Sequence, residues 1–342
     1  MIKKILFVLF LISQVHAFGQ IEYSRVLILM GTRFEITAIS DSEENSKKAV
    51  NAGIREISRI ESLISSWDEN SQTSSINRKA GKEPVKVDKE LFDLIYRSQK
   101  ISNLTQGAFD ISFASIEKLW KFDGSMTQLP SPEEIERSVR YIDFRNIILD
   151  KDNSTVFLKN EGMRIGFGAI GKGYAANRAR KVMEEMGIEH GVVNAAGDLT
   201  AWGTQGNGEP WKVGISKPDD LKTVIDWLTV SDNAVVTSGD YEKFVELEGR
   251  RYSHIIDPRT GYPTTGIKSV TIICPDAELA DGLATSVFVM GPEKGLALIN
   301  LLKGIECLII TDDNKLITSQ LLDLNYYDAS TDPGEVIPVT GK

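Results

Sequence analysis

The residues Gly166-Phe167-Gly168-Ala169-Ile170-Gly171-Lys172-Gly173 decide how the fold is read. They open a helical pattern that runs to about Gly187, and they satisfy two nucleotide motifs at once. As G-x-G-x-x-G they resemble a dinucleotide-binding turn, which needs a preceding parallel strand and an acid about 20 residues on, at a strand end. The chain before them instead predicts a hairpin, 155–158 and 163–167 around Asn160-Glu161-Gly162. The acids that follow, Glu184 and Glu185, fall inside the helix. As G-x-x-x-x-G-K the stretch resembles a P-loop, but Gly173 stands where a Ser or Thr must hold magnesium. A doubly wound parallel sheet is not indicated. What survives is shared physics: glycines let backbone approach a phosphate, a helix N-terminus favours an anion, and Lys172 adds charge. A glycine-rich turn packed for shape alone is the plain alternative.

Upstream, 26–30 and 32–39 read as a strand pair, with Phe34, Ile36 and Ala38 alternating with Arg33, Glu35 and Thr37. A helix begins at about Asp41, with Val50, Ile54, Ile57, Ile60 and Ile64 along one face. Asp88 is placed to cap a second helix whose Leu91, Leu94, Ile95, Ile101 and Leu104 form a buried stripe. Downstream, short strands at 191–194, 211–215, 251–256, 269–274 and 307–311 mix with helices near 281–290 and 293–303. No regular βαβ alternation appears. The predicted class is α+β, with mixed sheets and packed helices.

The 342 residues, 42% hydrophobic and 25% charged, suffice for a large core and exclude disordered and collagen-like chains. Residues 1–17 read as a secretory signal peptide: Lys3 and Lys4, the apolar run 5–12, then Val15-His16-Ala17 as a cleavage point. Neither cysteine, Cys274 or Cys307, lies near that site, so no lipoprotein is predicted. Export would place the protein in the periplasm or an equivalent space, as one domain over 18–324 and a polar tail over 325–342. The apolar run is far short of the roughly 20 residues of a spanning helix, so no transmembrane helix is expected in the mature chain. Without Lys3 and Lys4, 37 basic residues against 48 acidic ones leave a charge of −11. Such a chain is a poor partner for nucleic acid or an anionic membrane. An anionic ligand must therefore be met locally. The two cysteines sit in strand-like apolar runs, where pairing and buried free thiols are both open.

Four further stretches are distinctive together: MGTRFEI at 30–36, GAFDIS at 107–112, SGDYEKF at 238–244 and SHIIDPRTGYP at 253–263. The last joins a strand-end histidine to a turn in which Pro258 suits the second position, Asp257 caps and Gly261 supplies positive φ. Beyond it, Asp281 and Thr285 fall at i and i+4 of one helix face. Two hard oxygen ligands suit Mg²⁺, which completes its shell with water and phosphate. Taken alone, the same pair also reads as a helix cap and a back-bonding hydroxyl.

In this order and combination the motifs resemble the FAD:protein FMN transferase family, the ApbE family of flavin transferases, over about 30–322. The resemblance implies two closely associated subdomains with FAD bound in the cleft between them. It implies transfer of FMN from FAD to a Ser/Thr hydroxyl of an exported or membrane-bound protein, through a phosphoester bond, releasing AMP. The acceptor would carry a D-x-x-[ST]-G-A-[ST]-like segment. Carried over by position, Met30, Trp67, Ala108, Phe109, Asp110, Gly166, Lys172 and Ile255 would contact FAD. The backbone oxygen of Ala169 with Asp281 and Thr285 would hold Mg²⁺. Gly166 stands where many members carry Asp, and Trp67 where some carry another aromatic. SGDYEKF would lie near the flavin. His254 is the natural base for the incoming hydroxyl, since imidazole titrates near neutrality. His190, after a helix end, suits a structural role. A Mg²⁺-dependent FAD pyrophosphatase and a non-catalytic FAD-binding protein are the alternatives. Self-modification at Asp257-Pro-Arg-Thr260-Gly is a third, weakened because Tyr262-Pro263 replaces the small residue and hydroxyl.

Overall fold

Met30 and Gly31 both take positive φ, 50° and 73°, and this two-residue turn joins the first two strands. In the computed structural model, which describes residues 20–240, 244–247, 250–322 and 337–338, these strands are β1 (Ile21–Leu29) and β2 (Thr32–Ser40). The expected signal peptide and nearly all of the tail lie outside the described residues, as do Tyr241, Glu242 and Lys243 of the SGDYEKF stretch. Ser42 caps α1 (Glu43–Ile64), accepting from the Asn45 N–H at 3.2 Å, and α2 (Gln72–Arg78) follows under a Ser71 cap.

Next come β3 (Val85–Lys86), α3 (Lys89–Leu104), α4 (Pro132–Ser138), β4 (Ile147–Asp150) and β5 (Thr155–Leu158). Two expectations fail here. Asp88 sits at the cap position of α3 without bonding its N–H groups; its carboxylate takes Gln72 Nε2 instead, at 2.6 Å. Leu104 belongs to the final turn and is 42% exposed, outside the stripe formed by Leu91, Leu94, Ile95 and Ile101. The predicted hairpin is also mis-drawn. β5 pairs with β4 before it and with β3, while 163–167 is not a strand. Its backbone is satisfied by side chains: Asn77 bonds both polar groups of Ile165 (2.8 and 3.0 Å), and Ser115 those of Arg164 (2.7 and 2.9 Å). No parallel strand feeds the glycine-rich loop, since β5 pairs antiparallel with both neighbours.

The rest comprises α5 (Gly171–Glu185), β6 (His190–Ala195), β7 (Asp198–Trp202), β8 (Trp211–Lys217), β9 (Asp220–Val230), β10 (Asn233–Gly239), β11 (Phe244–Leu247), β12 (Arg250–Ser253), β13 (Ile267–Cys274), α6 (Ala277–Met290), α7 (Pro292–Ile299), β14 (Glu306–Thr311) and β15 (Leu316–Thr318). One eight-stranded antiparallel sheet, ordered β1-β2-β6-β7-β10-β13-β14-β15, organises the fold. One face buries Phe34, Ile36 and Val193 beneath α1 and α5, while α6 covers β10 and β13. The other buries Ile39, Val192 and Leu199 against Trp211 and Val213 of β8 and Leu228 of β9. A sheet covered on both faces explains the strands whose apolar residues run on without alternating, such as His190–Ala195 and Asp198–Trp202. The class is α+β. Both cysteines are free and buried. No helix among the described residues is long and apolar enough to cross a membrane.

Candidate active site

The glycine-rich loop closes one wall of a cavity of about 470 Å³. Gly171 is the first residue of α5, and an added Cβ there would lie 2.9 Å from Ile64 Cδ1 at the end of α1. Gly173 meets α6 more closely still: a Cβ would come within 2.1 Å of the Ala277 carbonyl oxygen. Only glycine lets the two helix starts touch through backbone. That contact brings Asp281 under the N-terminus of α5, where its Oδ2 accepts from the Gly173 N–H at 3.1 Å.

The Asp281 side chain is a full turn and more inside α6; the cap is Asp276, whose Oδ1 accepts from Leu279 N at 3.0 Å. The helix starts four residues before the predicted position, and a capping role for Asp281 is thereby removed. Thr285 lies one turn further on the same face. Burial, then the neighbouring Asp198 carboxylate, push the Asp281 carboxyl well above the ordinary carboxylate range, with Lys172 opposing. Asp198 is itself buried and paired with Lys172. Two buried carboxylates beside one ammonium form a site short of positive charge. Asp281, Thr285 and Ala169 all border it, and a carboxylate, a hydroxyl and a backbone carbonyl are the hard oxygen donors that Mg²⁺ takes.

The aromatic wall comes from two segments. Past α1, the Ser65 hydroxyl accepts the N–H groups of Trp67 and Asp68, leaving the Trp67 ring 80% exposed with Lys118 Nζ 5.0 Å from its centroid. Past α3, Ala108 and Phe109 are buried at the cavity edge. Asp110 is committed internally: Oδ1 takes the N–H and hydroxyl of Ser112 (2.7 and 2.6 Å) and Oδ2 the N–H of Phe144 (2.8 Å). Burial nevertheless raises its pKa, the hydrogen bonds opposing. Its role within this chain is to fix the 109–112 turn.

His254 and Ile255 complete the rim, just past β12. Ile256 makes a single bridge to Pro263, so the predicted strand 251–256 ends at Ser253. The segment is pinned by Thr264, which bonds the Ile255 carbonyl through N–H and hydroxyl (2.9 Å each), and by Trp120 Nε1 on the Gly261 carbonyl (3.0 Å). The Phe122 ring stands edge-on to His254 at 6.5 Å. Pro258 and Gly261 (φ 77°) take their predicted turn positions. His190 is structural, its Nδ1 accepting from Thr204 N at 2.9 Å.

Every predicted site residue but one borders the cavity. Met30 does not; it lies at the hairpin tip with its Cε beside Gly171. Asp198 and Ala196 are present without having been predicted. They sit at a tight turn, Ala196-Gly197 (φ 53° and 102°), like the one at Met30-Gly31, a feature too common in sequence to mark a site.

The sequence model of the ApbE family matches residues 30–309. The chain belongs to the ApbE family. Among its relatives, an FAD:protein FMN transferase of Klebsiella pneumoniae (strain 342) is 32% identical over 299 residues, covering 87% of this chain and 92% of the relative. One of Treponema pallidum (strain Nichols) is 32% identical over 318 residues, 87% of each chain. The crystal structure of the ApbE protein from Thermotoga maritima superposes with a TM-score of 0.79 at 34% identity, covering 87% of this chain and 97% of that one. The flavin transferase ApbE from Vibrio cholerae superposes at 0.78 with 27% identity, covering 88% and 98%. The ApbE fold thus accounts for the sheet and for the helix pair that carries the cavity.

Proposed function

We propose that the protein moves FMN from FAD onto a Ser/Thr hydroxyl of another protein, with Mg²⁺ as cofactor and AMP as product. The observation that carries this is the pairing of Lys172 and the α5 N-terminus with Asp281 and Thr285 at one end of a cavity whose rim bears Trp67 and His254. Lys172 and the loop N–H groups meet the pyrophosphate oxygens, and Trp67 and Phe109 offer flat surfaces to the ring systems. His254 takes the proton of the acceptor hydroxyl. That oxygen forms a bond to the FMN phosphorus, the bridging P–O bond breaks, and AMP departs with the electron pair. Mg²⁺, held by Asp281, Thr285 and the Ala169 carbonyl, would supply charge neutralisation on the pyrophosphate. Met30, whose Cε stands beside Gly171 of the glycine loop, joins Ala108, Asp110, Gly166 and Ile255 as a further contact to FAD.

We further infer export after cleavage behind residue 17, as a single domain over 18–324; N-terminal sequencing should begin near Phe18, and intact Met1 in a cytosolic fraction contradicts it. For the activity, AMP is followed by chromatography with FAD and Mg²⁺, with and without an exported protein bearing an Asp-x-x-Thr-Gly-Ala-Thr segment. AMP release that requires the acceptor is expected. Equal AMP release without it would favour the pyrophosphatase.

A further inference from the structure

Among the described residues the first strand is a sheet edge, and its last four residues, Val26 to Leu29, carry no charge. β1 pairs with β2 without a break from Ile21 to Leu29, with no proline, lysine or bulge along nine residues. Natural edges are blunted by such devices or by charges, and the two charges of β1, Glu22 and Arg25, leave the stretch from Val26 to Leu29 open to pairing. The two-residue turn makes Leu29 and Thr32 a mutually bonded pair, so alternate residues back along β1 also bond β2. Ser24, Val26 and Ile28 therefore direct their N–H and C=O groups away from the sheet.

The same three residues point their side chains to one face. On that face Val26 is 54% and Ile28 70% exposed, in contrast to Leu27 and Leu29, which pack into the core beneath α1. Ile28 sits opposite Arg33, and Val26 opposite Glu35, with Arg33 and Glu35 bonded to each other at 2.8 Å. The β2–β6 register sets Glu35 opposite Asn194 and Phe34 opposite Ala195, which carries the row on from Arg33 to Ala196. Ala196 borders the cavity. The exposed apolar pair thus lies in the sheet row that ends at the cavity mouth, about 10 Å or two strand spacings away, on the sheet face opposite α5.

We propose that the free edge and outer face of β1 receive an extended segment of the acceptor protein, which adds to the sheet as a further strand and leads its hydroxyl to the cavity. The proposal rests on the transfer reading, which requires a second polypeptide at that mouth. Main-chain pairing with Ser24, Val26 and Ile28 would supply affinity, and apolar side chains of the segment would cover Val26 and Ile28. A second copy of this chain is the weaker occupant. A stable dimer needs about 800 Å² per partner, of which two side chains supply a fraction.

The test uses the whole mature protein and an exported acceptor bearing an Asp-x-x-Thr-Gly-Ala-Thr segment. Val26→Pro removes an N–H that β2 does not use, and Ile28→Lys charges the edge; both leave the cavity intact. Each should raise KM for the acceptor protein at least tenfold. The FAD dissociation constant, and transfer to a short peptide holding only the acceptor motif, should stay within twofold. Amide hydrogen exchange of wild type should slow at Ser24, Val26 and Ile28 when the acceptor is added, a readout independent of transfer. Protection without transfer keeps the docking surface and overturns the transfer reading. Unprotected β1 amides, or an unchanged KM in both variants, overturn the docking surface. Protection that appears on self-association, with dimer lost in Ile28→Lys, overturns it in favour of a second copy.

Discussion

At the residue scale the site turns on Asp281, a carboxylate that folding buries beside Asp198 and holds by one N–H of α5. Replacing it with Ala removes the one ionised ligand of the proposed oxygen set, leaving a hydroxyl and a carbonyl too weak to hold Mg²⁺. Lys172, the loop N–H groups, Trp67 and Phe109 remain. Asp281→Ala should therefore bind FAD about tenfold more weakly, about 1.4 kcal/mol, while transfer falls below detection. Equilibrium fluorescence titration and a gel assay of the flavin-labelled acceptor separate the two effects. His254→Ala should retain both FAD and metal and lose transfer alone, measured in the same pair of assays. Lys172, His254 and Asp281 were legible because each sits in a short motif with its own chemistry, whereas Trp67 and Phe109 came only from the family resemblance. Asp198 was not: one acid behind a Gly turn carries no spacing signal, and only the sheet brings it to Lys172. Nor could sequence reveal that Asp110 spends both carboxylate oxygens on Ser112 and Phe144.

At the element scale the decisive contact is between the N-termini of α5 and α6. The methyl group of Gly173→Ala would collide with the Ala277 carbonyl and approach Asp281 Cβ at 2.9 Å. The helices must then separate, at a cost of about 3 kcal/mol, and the Asp281 bond to the Gly173 N–H should break. Urea unfolding should show the loss in midpoint with an unchanged slope; a variant as stable as wild type would refute the close packing. Helices α1 and α3 were legible from apolar spacing, α5 from the glycine-rich loop that opens it, and β2 from alternation. The start of α6 was placed late because Ala277 to Ala280 carry little periodic signal, and Asp276 alone marks the cap. The segment 163–167 read as a strand because its apolar residues alternate; Asn77 and Ser115, distant in sequence, take the bonds a partner strand would have made.

At the scale of the whole molecule, α1, α3 and α5 are tied by a charged cluster of Glu56, Arg59, Glu90 and Arg178, with the Tyr174 hydroxyl donating to Glu90 at 2.6 Å. The Arg59 guanidinium, against burial and aided by Tyr174, holds the Glu90 carboxyl down at about 2. A carboxyl depressed in the folded state contributes stability that is complete above its unfolded pKa, near 4.5, and is lost as pH falls toward 2. Glu90→Gln should thus cost about 1 kcal/mol at pH 7, with the cost shrinking below pH 4.5 and vanishing as pH falls through 2, in thermal melts of both proteins. A constant difference across that range would assign the cost to packing. The α+β class was legible from the missing βαβ rhythm. The closure of eight strands into one sheet was not, because β2–β6 and β7–β10 pairings join segments far apart in sequence.

The central claim is that FMN ends on a second protein. Intact-mass spectrometry of an exported acceptor bearing an Asp-x-x-Thr-Gly-Ala-Thr segment, incubated with this protein, FAD and Mg²⁺, tests it most directly. A gain of one FMN mass is expected, abolished by a chelator and by replacing the acceptor threonine with Ala. Free FMN and AMP in solution with the acceptor mass unchanged would contradict it.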